Sequence, residues 1–133
     1  MHFESTYAME AIDQLVVDIE TRDPKRSPES KFDYVDIASV CSISHRIISP
    51  KSLLGKDAPS RARKVIRVSD VIFATTRPYL KSVATVPQEL DNQICSTGFC
   101  VLRTGERVLP EWLFYCVISD QFLSQIIPLM RGA

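Results

Sequence analysis

The chain has 133 residues, of which 45% are hydrophobic and 24% charged, so it can form one domain with a core. No apolar run approaches the roughly 20 residues that span a bilayer, and no basic segment followed by an apolar stretch opens the chain. The formal net charge is zero. These features predict a cytoplasmic protein with neither a membrane span nor a secretory signal.

Residues 1–31 are predicted to form a helix followed by a loop. Apolar side chains recur at helical spacing over 7–20, although the β-branched end of that stretch, 15–19, also fits a short strand. The segment 21–31 is polar and contains two prolines, which predicts a loop.

Residues 32–108 are predicted to form a β-rich core, because short β-branched segments alternate with turn signals. A loop is expected at 49–59 and turns at 69–70 and 104–106. The predicted strands are 32–48, 62–68, 71–75, 81–86 and 97–103.

Residues 109–133 are predicted to form a C-terminal helix. Pro110 and Glu111 suit the first turn of a helix, and Trp112, Tyr115 and Phe122 belong to the apolar face expected to run to residue 127. Short strands with helices at both ends predict an α+β fold, and the whole chain, 1–133, is predicted to be a single domain.

No catalytic or cofactor-binding motif is present. The sequence lacks a P-loop, a G-x-G-x-x-G segment and a G-x-S-x-G segment, and its four cysteines form no C-x-x-C pair. A magnesium nuclease would have only the loosely spaced Asp18, Glu29 and Lys31, which Glu29→Ala would test. We therefore predict reduced thiols, no catalytic residue, no cofactor and no metal site.

Charge is distributed unevenly along the chain. Residues 1–36 carry nine acids and four bases, residues 37–88 carry nine bases and two acids, and residues 89–133 carry five acids and three bases. The basic middle segment predicts a positive surface for a polyanion, or else an ordinary solvated surface.

The strongest signal within that segment is a run of arginines. In an extended chain Arg61, Arg63 and Arg67 lie on one face, and phosphate groups would relieve the repulsion between their guanidinium groups. Arg77 and Tyr79 add a cation and an aromatic ring close by. The alternative is that the arginines pair with acids within the fold, such as Asp33, Asp36 and Asp70.

Six segments resemble the target recognition domain of type I restriction–modification specificity subunits, in the order and spacing of that family. They cover roughly residues 30–130, and they are 32–40, 58–64, 70–73, 76–81, 96–103 and 110–115. The resemblance implies a β-rich DNA methylase specificity domain, partly like a double β-helix, with flanking helices.

The resemblance also implies a function. Such a domain has no catalysis of its own and reads one half of a bipartite target in double-stranded DNA, while the methyltransferase (M) and restriction (R) subunits supply the chemistry. The family continues into a spacer helix and a second recognition domain, so we expect this chain to be a fragment or a minimal relative. The alternative is a truncated interaction module that pairs with other subunits and does not read DNA.

On this reading, six side chains are predicted to contact DNA, mainly at phosphates: Arg61, Arg63, Lys64, Arg77, Tyr79 and Lys81. Base-reading side chains are expected in the loops 44–57 or 83–93. About five phosphate contacts would give a slope of log affinity against log salt of about −4 to −5.

Overall fold

The computed structural model describes residues 19–77, 80–105, 109–122 and 124. The predicted helix over 7–20 lies outside these residues except for its last two positions. The strands are β1 Lys31–Val35, β2 Val40–Cys41, β3 Arg46–Ile47, β4 Lys51–Leu54, β5 Ala62–Ile66, β6 Val71–Ala74, β7 Val83–Thr85, β8 Gln93–Ser96 and β9 Phe99–Leu102. Helix α1 is Pro110–Ile118, and short 3-10 helices lie at Pro24–Arg26, Ile37–Ser39, Gly55–Asp57 and Gln88–Leu90.

The first sheet has four strands in the order β4-β1-β8-β5. Strand β1 is antiparallel to β4 and parallel to β8, and β8 is antiparallel to β5. Ile94, Cys95 and Ser96 of β8 are all buried, as expected for a strand with neighbours on both sides. The sheet is therefore mixed, with β8 near its centre.

The second sheet has three antiparallel strands in the order β7-β6-β9. Every residue of β6 is buried, because helix α1 and the residues after it cover Val71 and Phe73 on one face, and Ile72 and Ala74 pack towards the first sheet on the other. Leu113, Val117 and Phe122 pack there, and the rings of Phe73 and Phe122 meet edge to face with centroids 5.5 Å apart. One mixed and one antiparallel sheet with an α-helix packed on the latter form an α+β architecture, as predicted.

A second set of buried side chains joins the two sheets. Val35, Ile66 and Cys95 of the first sheet pack in one cluster with Ile72 and Phe99 of the second. An ion pair between buried Asp70 and Arg103 also links the turn after β5 to the end of β9. The two sheets therefore share one core.

The continuous strand predicted over 32–48 is wrong, because the chain turns after Val35. The backbone N–H of Ser39 donates to the carbonyl of Asp36 (2.9 Å), and the Ser39 hydroxyl accepts the Asp36 N–H (3.1 Å). These local hydrogen bonds form a 3-10 turn, after which β2 and β3 make a short hairpin.

The predicted loop over 49–59 contains strand β4, and β8 was not predicted at all. Residues 51–54 have no β-branched side chain, and their antiparallel pairing with β1, from Lys31 with Leu54 to Tyr34 with Lys51, makes them a strand. Both omissions have the same cause, since long-range pairing leaves no local pattern in such short segments.

The single helix predicted from residue 109 to 127 is also wrong, because α1 ends at Ile118. Ser119 adopts an extended backbone conformation, its hydroxyl donates to the Cys116 carbonyl (2.7 Å), and the hydroxyl oxygen accepts the Phe122 N–H (3.1 Å). One serine thus ends the first helical segment and caps the next turn. Residues beyond 124 lie outside the described part.

The buried face of α1 also differs from the predicted one. Leu113 and Val117 are buried, whereas Trp112 is 39% and Tyr115 is 69% exposed. Trp112 and Tyr115 of the predicted apolar stripe therefore lie on the solvent side of the helix, whereas Phe122 of that stripe is buried.

Candidate nucleic-acid interface

The predicted DNA-contacting residues fall into two groups. Arg61, Arg63 and Lys64 lie at or within β5, whereas Arg77 and Lys81 lie in the connection between β6 and β7. Tyr79 lies outside the described residues.

The arginines around β5 do not form the row on one face that was predicted. The pairing of β5 with β8 shifts register between Ala62 and Lys64, which is a β-bulge. Strict alternation would place Val65 on the same face as Arg63, yet Val65 is fully buried while Arg63 is exposed. A bulge interrupts strict alternation, so the prediction of a single cationic face on this strand is wrong.

Two of these arginines make ion pairs on the surface. Arg63 lies 3.5 Å from Asp23 and Arg67 lies 2.7 Å from Glu20, with 45% and 39% of the arginine side chains exposed. The hydrogen bond from Arg67 holds the pKa of Glu20 below its usual range. These guanidinium groups keep solvent-facing N–H groups and are not buried against carboxylates.

Two of the acids that were expected to neutralise the arginines, Asp36 and Asp70, have other partners. Asp36 accepts a hydrogen bond from Lys51 (3.3 Å), and Asp70 binds Arg103 through two hydrogen bonds of 2.9 Å each. Glu20 and Asp23 of the negative N-terminal segment pair with Arg67 and Arg63 instead.

Lys64 is half-buried and makes a hydrogen bond within the fold. Its ammonium group donates to the backbone carbonyl of Phe99, which joins β5 of the first sheet to β9 of the second. Its contact with DNA stays a prediction, and this carbonyl would compete with phosphate for the same ammonium group.

Arg77 and Lys81 sit in a tight loop closed by the hydrogen bond from the Ala74 N–H to the Ser82 carbonyl (3.0 Å). Both residues have a left-handed backbone, each with φ of 54°. Such conformations are uncommon in residues other than glycine and cost some backbone strain, so they are usually found in turns held by the surrounding structure. Arg77 is exposed, and the Lys81 ammonium lies 2.8 Å from Asp120, whose pKa it lowers.

Sequence reasoning missed a set of cations from the N-terminal segment. Arg22, Arg26 and Lys31 line a cleft of about 780 Å³ together with Arg63. We call this feature the basic cleft. The sequence could not reveal this cleft, because residues 1–36 carry a net negative charge and only the fold brings their bases next to Arg63.

The described residues contain no group of three His, Cys, Asp or Glu side chains arranged to hold a metal ion. Asp18 of the possible nuclease set lies outside them, and Glu29 is exposed.

The ring of His45 is held by a contact of its Nδ1 with the Val83 carbonyl (3.1 Å) and by edge-to-face packing on Phe114. No helix in the described part of the chain is both long and apolar enough to cross a membrane.

Comparison with known proteins gives similarities to one family. No family model matches the chain. It is 37% identical over 67 residues to the type I restriction enzyme HindI specificity subunit of Haemophilus influenzae, a match covering 50% of this chain and 15% of that protein.

Two solved structures match more of the chain. The HsdS subunit from Thermoanaerobacter tengcongensis matches with a TM-score of 0.84 and 53% identity, over 86% of this chain and 30% of that one. A chain from a structure described by complex assembly and conformational transition of the type I R-M system matches with a TM-score of 0.86 and 52% identity, over 92% and 32%. The chain therefore spans about a third of the solved chains, and the resemblance predicted from six segments is confirmed.

Proposed function

Because this chain shares its fold, and about half of its residues over that fold, with one part of the HsdS specificity subunits, we propose that it is a target recognition domain reading one half of a bipartite DNA target. Identity of 52–53% at TM-scores of 0.84–0.86 carries this proposal. A domain of this kind acts without catalysis of its own, as the specificity component of a restriction–modification complex in the cytoplasm.

The exposed cations suit contacts with phosphates. Arg61, Arg63 and Arg77 present guanidinium groups that bind phosphate oxygens bidentately, and the closed loop after β6 limits the freedom of Arg77. Such contacts fix the position and orientation of a protein on the duplex without reading sequence.

The hairpin between β2 and β3 is the feature best suited to reading bases. Its tip, residues 42–45, carries Ile43 with 91% of the residue exposed, flanked by exposed Ser42 and Ser44. The tip is held by the His45 N–H, which donates to the Cys41 carbonyl (2.8 Å). An apolar side chain between two hydroxyls can contact a thymine methyl group and hydrogen-bond to neighbouring base edges.

The partners of the domain follow from the same proposal. The methyltransferase (M) and restriction (R) subunits would supply S-adenosylmethionine-dependent methylation and ATP-dependent cleavage. The specificity subunit would bring them to the target.

A domain exchange tests the proposal directly. Residues 1–133 replace the homologous third of the Thermoanaerobacter tengcongensis HsdS subunit, which is co-expressed with its M subunit, and methylated sites are mapped by sequencing. We expect one half of the methylated target to change and the other half to stay. An assembled complex that methylates the original target unchanged would contradict DNA reading by this domain.

A matched variant separates positioning from base reading. The same exchange carrying Arg77→Gln is expected to lower the extent of methylation without changing the target sequence, since a phosphate contact carries no sequence information. Ile43→Ser is expected to relax the preference at one base pair. A change of target in the Arg77 variant alone would reverse these roles.

The second candidate is the interaction module, and exposed aromatic residues on α1 favour it. Trp112 is 39% and Tyr115 is 69% exposed, and aromatic side chains are enriched at protein interfaces. Gel filtration with and without duplex DNA discriminates the two. A stable dimer that retains no DNA would favour the module, and a monomer that binds DNA would exclude it.

A further inference from the structure

The basic cleft lies where the extended segment at residues 19–22 runs beside β5. Thr21 forms a β-bridge with Lys64, and the Arg22 N–H donates to the Arg63 carbonyl (2.8 Å). The 3-10 helix Pro24–Arg26 forms another wall. Its position is set by close packing against Gly55, where a side chain would collide with the carbonyl oxygens of Pro24 and Ser27.

The cleft is strongly cationic. Four of its side chains carry positive charge, namely Arg22, Arg26, Lys31 and Arg63, against the single acid Asp23. The Asp23 carboxylate already accepts the Lys25 backbone N–H (3.1 Å) and lies 3.5 Å from Arg63, so it offsets only part of this charge. Like charges gathered around a cavity repel each other, and an anion between them removes that repulsion.

Two of the guanidinium groups are already oriented. Arg22 donates to the side-chain oxygen of Asn92 (2.8 Å) and to its backbone carbonyl (3.3 Å), and Arg63 donates through Nε to the Ser60 carbonyl (3.4 Å). Both side chains remain exposed, with N–H groups left for a ligand. Orientation before binding lowers the entropy lost when a phosphate contact forms.

The rest of the lining fits a sugar-phosphate chain. The half-buried ring of Phe32 and the buried Ile94 give apolar surface for a deoxyribose, and the exposed Ser27 and Ser30 add hydroxyl groups beside the cations. A volume of about 780 Å³ exceeds what an inorganic phosphate fills and matches a ligand of nucleotide size.

We infer that the basic cleft binds a phosphodiester segment of the DNA backbone, as a contact additional to those of Arg61 and Arg77. This assignment rests on the proposed DNA-reading function. The cleft adds phosphate contacts from the acidic N-terminal segment, and it clamps the duplex without reading bases.

The test measures binding of the whole chain to a random-sequence 20-base-pair duplex by fluorescence anisotropy across a salt series. The double variant Arg26→Gln/Lys31→Gln removes two exposed cations of the cleft. Because each phosphate contact contributes about 0.9 to the slope of log affinity against log salt, we expect the slope to fall by about 2.

Lys25→Gln is the matched control. Lys25 lies beside Arg26 in the same 3-10 helix and is exposed, but it does not line the cleft. We expect this variant to change the slope by well under 1, and thermal unfolding verifies that all variants remain folded. If Lys25→Gln and Arg26→Gln alone lowered the slope equally, the cations would act through the general positive charge of the surface and not through the cleft, and the assignment would be overturned.

The remaining outcomes distinguish the two proposals. If the wild-type chain binds the duplex and the double variant binds with the same slope, the cleft assignment fails and the proposed function stands. If the wild-type chain shows no salt-dependent binding, both fail. Displacement of the duplex by millimolar deoxyadenosine monophosphate, lost in the double variant, would assign the cleft to a free nucleotide and overturn the backbone contact.

Discussion

Replacing Arg103 by methionine is expected to destabilise the domain more than replacing its partner Asp70 by asparagine. Asp70 is 1% exposed, and its carboxylate accepts two hydrogen bonds from Arg103 and one from the Arg67 backbone N–H (2.8 Å). The Arg103 side chain is 22% exposed. The two partners therefore differ in how well water can replace the lost contact.

The magnitudes follow from that asymmetry. Arg103→Met leaves a buried carboxylate with one backbone donor, and breaking such a pair costs about 3–5 kcal/mol of unfolding free energy. Asp70→Asn keeps an oxygen for the Arg67 N–H, and it leaves a guanidinium that can turn partly to water, so we expect about 1–3 kcal/mol. The double variant removes both charges and is expected to lose about 1–3 kcal/mol less than the sum of the single losses.

Urea unfolding followed by far-ultraviolet circular dichroism measures all four proteins at one pH and one salt concentration. Equal slopes of free energy against urea would confirm that the folded and unfolded states stay comparable. A loss from Arg103→Met that is no larger than that from Asp70→Asn, or strict additivity in the double variant, would refute the reasoning from burial.

Two further predictions concern packing and thiol chemistry. Gly55→Ala is expected to lower the free energy of unfolding by about 1–3 kcal/mol in thermal unfolding, because its new methyl group meets backbone oxygens. Gly105→Ala is the control: a methyl group there has nothing within 4 Å, so the variant should stay within about 0.5 kcal/mol of wild type. Equal losses in the two variants would contradict this. Iodoacetamide at pH 8 should modify Cys41 first and Cys95 last, as followed by mass spectrometry. Hydrogen bonds from Ser44 and Ile43 lower the pKa of Cys41, while burial raises the pKa of Cys95 to about 12. Equal rates in the folded protein would count against it.

The sequence predicts best those strands that contain two β-branched residues. Strands β5, β6 and β7 fall within the predicted segments 62–68, 71–75 and 81–86. Strand β4 was missed because its residues Lys51–Leu54 resemble a loop locally and become a strand through β1. Pairing partners distant in sequence therefore decide the elements that local composition does not.

The buried face of α1 was predicted wrongly for a different reason from the one that hid strand β4. The bulky Trp112 and Tyr115 suggested the buried side, yet the groove against β6 and β7 takes Leu113, Val117 and Phe122. Helical periodicity allowed either stripe, and the break at Ser119 brings Phe122 onto the Leu113 face. A hydrophobic pattern on a short helix therefore fixes its buried face only together with the surface it meets.

Net charge by segment is a poor guide to where positive surface lies in this protein. Glu20 and Asp23 belong to the acidic N-terminal segment, yet they pair with arginines of the basic segment. Bases of that same acidic segment, Arg22 and Arg26, join Arg63 in the basic cleft. Folding thus brings acids of one segment against bases of the other. The net charge of a segment therefore reveals neither the ion pairs of Glu20 and Asp23 nor the positive charge of the basic cleft.

The bulge in β5 decides which cations can act together. Strict alternation predicted one row of arginines, but the register shift after Ala62 separates Arg63 from the buried Val65 and directs Lys64 to the Phe99 carbonyl. Cations available to a duplex therefore come from the N-terminal segment, from Arg61 and Arg63 around β5, and from the loop after β6. Under the proposed function, three separate sources of cations would fix both the position and the orientation of a bound duplex, which a single strand cannot do. Variants chosen by position in the fold should therefore test DNA binding more sharply than a scan of residues 61–67.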